Sequence, residues 1–160
     1  MITFSYLDKS QKEQWLSTLF DLYYRNMQAI IPTSLPYEEE KTQWLSEVAP
    51  ALEKEPRKII LCLAESALAG YVQYYTNKNL LMIEEIQIAK DFQRTTLFYS
   101  LCKHLAQALP PDLETIEAFA LKQNLYSRKL MNRLGMEQIE ENDDFVHMRG
   151  SIQNMKLFFQ

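Results

Sequence analysis

Apolar and polar residues alternate over positions 2–7, and that period of two predicts a first strand. Ser10-Gln-Lys-Glu13 has the spacing of a capping box, in which a hydroxyl and a carboxylate each satisfy one orphan amide, so a helix is expected to start there. Trp15, Leu16, Leu19, Phe20, Tyr23, Met27 and Ile30 follow at helical spacing until Pro32, which has no N–H to continue the run. Ser34 and Pro36 restart a second helix, with Trp44, Leu45, Val48 and Leu52 on one stripe. The period then returns to two for strands at 58–65, 68–76 and 80–88, an antiparallel meander with short turns. Asn77-Lys78-Asn79 suits the second turn because asparagine tolerates the left-handed region. Gly70 inside a strand marks a bulge or a close backbone approach.

The stretch KDFQRTTLFYSLCKHL, residues 90–105, joins the last of these strands to a helix with Leu97, Phe98, Leu101, Cys102, Leu105 and Leu109 on one side, ended by Pro110-Pro111. A strand at 115–121 follows, then a helix at 124–134 that stops at Gly135, a left-handed C′ position. Residues 136–149 read as a hairpin turning at 141–144. The order βααβββαβαββ implies a mixed α/β sheet covered by helices. With 160 residues, 47% of them hydrophobic, and no repeat or linker, the expectation is one domain over residues 1–160.

Composition removes several classes of function. A net charge of -4 and a pI near 5.3 argue against nucleic acid or an anionic membrane as partner, since both demand concentrated positive charge. The clusters at 38–40 and 140–144 read first as solvated surface, although they would favour a cationic acceptor. No apolar run reaches the roughly 20 residues that span a bilayer, and residues 1–10 lack the regions of a signal peptide, so a cytoplasmic protein is expected. Cys62 and Cys102 read as small buried residues rather than a bridge. His104 and His147 stand apart with no cysteine pair beside them, so no metal site is expected. The apolar tail at 152–159 is the candidate surface for a homodimer, the alternative being that it packs on its own chain.

Three local patterns in this order resemble the GNAT N-acetyltransferases. They are Leu68-Ala-Gly70-Tyr-Val72 on the second strand of the meander, Ile83-Glu-Glu85-Ile86-Gln-Ile88 leading into Phe92-Gln93, and Asn124-Leu-Tyr-Ser127 with Leu134-Gly135-Met136. The resemblance covers residues 57–136 and implies a GNAT-like mixed, mostly antiparallel sheet, splayed at its centre and flanked by helices. It also implies acetyl-CoA as cosubstrate, with the backbone of Ile86, Gln87 and Ile88 pairing with the pantetheine arm. Gln93, Arg94, Thr95, Thr96, Leu97 and Phe98 would meet the pyrophosphate, and Asn124 would lie beside the cofactor. Glu85 would deprotonate the amine through water, Glu84 being on the other sheet face. The connection at 32–37 would cover the acceptor, a small-molecule or peptide amine.

The sequence departs from the family in two places. The pyrophosphate loop pattern has small residues where Thr96 and Phe98 stand. Those small residues let backbone approach phosphate closely, although the helix dipole, two threonine hydroxyls and Arg94 are retained. The family's general-acid tyrosine is replaced by Met131, and Tyr126 lies about 140° away around a regular helix. Two readings stay open: an acyl-CoA-dependent N-acyltransferase working by direct transfer, or a binding or regulatory module of the same fold that has lost turnover.

Overall fold

The computed structural model describes residues 1–54 and 56–160. Its strands are β1 (Ile2–Tyr6), β2 (Lys58–Ala64), β3 (Ala67–Asn77), β4 (Leu80–Ile88), β5 (Thr115–Leu121), β6 (Glu137–Glu141) and β7 (Phe145–Ser151). Its helices are α1 (Lys12–Gln28), α2 (Tyr37–Glu53), α3 (Leu97–Ala108), α4 (Leu125–Arg133) and α5 (Ile152–Phe158). The strands form one mixed sheet in the order β1-β2-β3-β4-β5-β7-β6. This is the expected fold class, a mostly antiparallel open sheet with helices on it. Among the described residues no helix is long and apolar enough to cross a membrane. The chain divides into two compact units.

The first unit is Met1–Gln73 with Glu85–Leu101. Its core is built by Leu16, Leu19 and Leu22 of α1, Leu52 of α2, Ile59 and Leu61 of β2 and Tyr71 of β3, with Trp15, Trp44, Leu45 and Val48 packed against them. The apolar stripes of the two helices predict these contacts. The start of α1 differs from expectation. Asp8 accepts from the Ser10 amide at 2.9 Å and from its hydroxyl at 2.8 Å, capping a 3-10 turn at Lys9–Gln11, and α1 begins only at Lys12. Asp8 thus takes the Ser10 amide that the predicted box assigns to the Glu13 carboxylate, and these bonds hold the Asp8 pKa below its usual value. Gly70 is the expected close approach: a Cβ there would lie 2.8 Å from the Gln87 carbonyl oxygen and 2.9 Å from Ile88 Cδ1.

The second unit is Tyr74–Glu84 with Cys102–Gln160. β4 runs parallel to β5 in the register Leu80↔Thr115 to Ile83↔Ala118, and β5 pairs antiparallel with β7 along its whole length. β4 continues to Ile88 and β5 to Leu121, beyond the residues that this register joins. Glu117, only 7% exposed on β5, accepts from Arg149 Nε and Nη2 at 2.8 and 2.6 Å, so its buried charge is compensated. Gly135 has φ +87° and ends α4 as expected. The turn at 77–79 places Lys78, not an asparagine, at φ +54°. The last nine residues hold a helix the sequence pattern did not predict. Ser151 caps α5 through the Asn154 amide, Ile152 and Met155 are buried, and Leu157 and Phe158 stay half exposed. Two turns are too short for a periodic signal, and the Phe158-Phe159 pair obscures it.

Cys62 and Cys102 are both free thiols, buried as expected; burial pushes their pKa values up to about 11 and about 12, which removes thiolate reactivity at neutral pH. The substitution Gly70→Ala forces the added methyl against backbone. It is expected to cost about 1–3 kcal/mol, read as a lower urea midpoint with an unchanged slope.

Candidate active site

Strand alternation puts Glu85 and Gln87 on the same face of β4, and helical spacing puts Tyr23 and Asn26 on the same face of α1. These two faces meet within the first unit. Gln87, 7% exposed, donates through Nε2 to Glu85 Oε1 at 2.5 Å. Asn26 Nδ2 donates to Gln87 Oε1 at 2.8 Å and to the Ile88 carbonyl at 2.9 Å. Gln93 Nε2 donates to the same carbonyl at 3.0 Å, so the end of β4 is tied both to α1 and to the segment that leads into α3. The result is a carboxylate whose orientation is set by a buried amide, itself held by a second amide.

Two tyrosines of the same unit, Tyr71 and Tyr23, feel the charge of that carboxylate. Tyr71, on β3, is fully buried, and its hydroxyl has no hydrogen-bond partner among the described residues. Burial first, then the charges of Glu85 and Tyr23, push its pKa well above the usual value. Tyr23 is pushed up to about 12, again by burial first, then by Glu85, Glu40 and Glu47. Its ring lies 6.0 Å from that of Trp44, and both pack near the buried Phe20 ring, at 6.2 and 5.6 Å.

The predicted cofactor residues occupy two kinds of environment. Ile86 and Ile88 are half-buried on β4, and Gln93, Arg94, Thr95 and Thr96 are exposed. Arg94 turns the chain at φ +62°. The Thr95 hydroxyl donates to the Phe92 carbonyl and accepts from the Leu97 amide at 3.2 Å, so it serves the turn itself. Leu97 and Phe98 are buried, at 5% and 8% exposure, and the Phe98 ring packs edge-on to Tyr99 at 5.5 Å. The ring that would obstruct the loop is therefore withdrawn into the core. Asn124 lies in the second unit, where its Oδ1 accepts from the Ser127 amide at 3.1 Å as the N-cap of α4, and Met131 is half-buried on that helix. A surface groove of about 460 Å³, lined by Leu35, Glu38, Glu39, Thr42, Gln43 and Ser46, includes none of these residues.

Sequence reasoning missed Tyr23, Asn26 and Tyr71 as parts of this cluster. Tyr23 was absorbed in the apolar stripe of α1 and Tyr71 in the core of β3. Asn26 alone carried a signal, a polar side chain beside Met27 near the end of that stripe.

No protein-family model matches the sequence, and no curated protein matches it. Solved structures do match. The PaiA N-acetyltransferase of Thermoplasma acidophilum, in complex with coenzyme A, is 12% identical with a TM-score of 0.75, over 94% of this chain and 99% of that one. The ribosomal-protein-S18-alanine N-acetyltransferase of Escherichia coli is 16% identical with a TM-score of 0.64, over 95% and 94%. YncA of Salmonella typhimurium, solved with its cofactor acetyl-CoA, is 12% identical with a TM-score of 0.63, over 95% and 94%. At such identities the likeness is one of architecture: the chain has the fold of the GNAT acetyltransferases.

The tyrosine cluster predicts a pH effect. Unfolded, Tyr23 ionises near pH 10; folded, it holds its proton to about pH 12. The unfolded chain therefore binds fewer protons in that window, and the stability Tyr23 contributes, fully present below pH 10, is lost as pH rises to about 12. Alkaline unfolding followed by phenolate absorbance should be less steep in Tyr23→Phe; an unchanged profile would contradict the placement.

Proposed function

We propose that this protein is an acyl-CoA-dependent N-acyltransferase that moves an acetyl group directly to an amine, with Glu85 as the proton acceptor. The observation that carries the reading is the relay Asn26–Gln87–Glu85 at the end of β4, followed in the same unit by an exposed polar segment that opens α3. A carboxylate oriented by one amide, which a second amide holds in turn, is arranged to take a proton from an ammonium, directly or through one water.

The residues present fit the cosubstrate. The withdrawal of Phe98 leaves Gln93, Arg94, Thr95 and Thr96 as the solvent-facing part of the loop, and the positive end of α3, with the amides of Phe98 and Tyr99 that follow the Thr95-bound Leu97 amide, suits a phosphate. When bound, acetyl-CoA supplies an acetyl group activated as a thioester, whose sulfur, with a thiol pKa of about 8.5, departs as the amine nitrogen takes the acetyl carbon. Backbone groups of Ile86 and Gln87 would orient that thioester, and Gln87 would keep Glu85 turned toward the amine. Proton delivery to the sulfur would fall to solvent, since Met131 has no proton to give. The relatives in fold support the reading, one being solved with coenzyme A and another with acetyl-CoA.

The test is calorimetric titration with acetyl-CoA and with free CoA, followed by thiol release over a panel of primary amines. Binding of both and turnover with some amine are expected. Glu85→Gln should keep cofactor affinity and lower kcat by about 10²–10⁴. No heat at millimolar cofactor would end the proposal; binding without turnover across the panel would leave a non-catalytic binding module of the same fold.

A further inference from the structure

The two edges of the sheet are finished differently. β6, the outer strand on one side, is exposed along its length, carries Glu137, Glu140 and Glu141 among its five residues, and slips register against β7 between Gln138 and Glu140. Charge and a bulge are what keep an edge strand from accepting a further strand. β1, the outer strand on the other side, has neither. Its five residues, ITFSY, hold no charge, proline or glycine, and it follows β2 in unbroken register from Ile2↔Ala64 to Tyr6↔Ile60. Isoleucine, threonine, phenylalanine and tyrosine all favour strands, and Ile2 and Tyr6 are 38% and 47% exposed. The Leu7 amide donates to the Ile59 carbonyl at 2.9 Å and the Glu65 amide to the Met1 carbonyl at 3.1 Å, so the odd-numbered residues turn their backbone groups toward β2. Alternation then turns those of Ile2, Phe4 and Tyr6 to the outer side.

We propose that β1 is a pairing surface for a second copy of this chain, the two β1 strands lying antiparallel about a two-fold axis at Phe4. An isologous contact must be complementary to itself, and this strand meets that condition. With Phe4 opposite Phe4, each Ile2 stands opposite Tyr6 of the second copy, and each of these outward-turned pairs exchanges two backbone hydrogen bonds. Thr3 falls opposite Ser5 between them. Aromatic, aromatic with β-branched, and hydroxyl pairs are cross-strand combinations that stabilise a sheet, and this register, which uses the whole strand, opposes no like charges. Beyond the ends of the strand the charges are complementary. Lys58 Nζ lies 5.6 Å from the Tyr6 ring centroid at one end, Glu65 follows the Ala64 partner of Ile2 at the other, and the two-fold axis sets the Lys58 end of one copy beside the Glu65 end of the other. The segment that the sequence offers for self-association, 152–159, instead buries Ile152 and Met155 within its own chain. A contact made by one short strand from each copy is small, so the dimer forms reversibly with concentration. This pairing does not rest on the transferase reading.

Sedimentation equilibrium of the full chain, from micromolar to millimolar concentration, reads the association. The wild type is expected to pass from monomer to dimer. Thr3 and Ser5 are exposed, so charging them tests the register without touching the core. Thr3→Lys with Ser5→Lys places two like-charge pairs across the seam and should weaken the dimer by about ten-fold. Thr3→Lys with Ser5→Glu places opposite charges in the same two pairs and should dimerise at least as tightly as the wild type, with the gain lost in high salt. Melting curves at low concentration should be alike for the two variants, which separates lost pairing from lost folding. A chain that stays monomeric at millimolar concentration, a dimer indifferent to the two lysines, or two variants that weaken it equally would overturn the inference. Titration of the same samples with acetyl-CoA reports on the transferase reading separately, so either can fail while the other stands.

Discussion

The arrangement around the candidate site depends on one side-chain amide. Asn26 Nδ2 reaches Gln87 Oε1 and the Ile88 carbonyl together, joining residues 61 and 62 positions apart, and it fixes the last turns of α1 against the end of β4. Gln87 is buried, so without that donor its amide oxygen would be left unsatisfied, at about 1–3 kcal/mol, while the Ile88 carbonyl would keep Gln93 as its side-chain donor. The same bond transmits order outward. Gln87 fixes Glu85, Gln93 shares the Ile88 carbonyl, and the segment entering α3 is thereby positioned. Gly70 completes the constraint from β3, since only a residue without a side chain lets that strand lie so close to the Gln87 carbonyl.

Around this satisfied network lies a deliberate contrast. The Tyr71 hydroxyl and Glu40 Oε2 are buried without partners, and the charges of Glu40, Glu47 and Glu85 all bear on Tyr23. A fold selected for stability alone would have phenylalanine at 71, because an apolar ring of the same shape carries no unmet hydrogen bond.

Much of the architecture was legible from periodicity. The limits of β4 and β5 and the end of α4 at Gly135 follow from local alternation, helical spacing and turn chemistry, all of which depend on neighbours in sequence. What could not be read depends on distant partners. Asp8, two residues upstream, takes the Ser10 amide that the predicted box assigns to Glu13, and the cap moves with it. The direction of the Phe98 ring is set by which side of α3 faces the core, and the Thr96 and Phe98 substitutions alone do not reveal it. Glu85 and the 93–98 loop were singled out as candidates because they match a family pattern, whereas Tyr23, Asn26 and Tyr71 sit in apolar stripes where the default reading is core. Asn124, read for the cofactor, has a sufficient local reason to be asparagine in its capping of α4.

The claim on which the account turns is that the start of α3 and the end of β4 together receive the charged cosubstrate. Amide hydrogen exchange on the intact protein, with and without saturating coenzyme A, measures this directly. The account predicts slowed exchange confined to the segments around Ile86 to Ile88 and Gln93 to Leu101; unchanged exchange there, with protection elsewhere or nowhere, would contradict it.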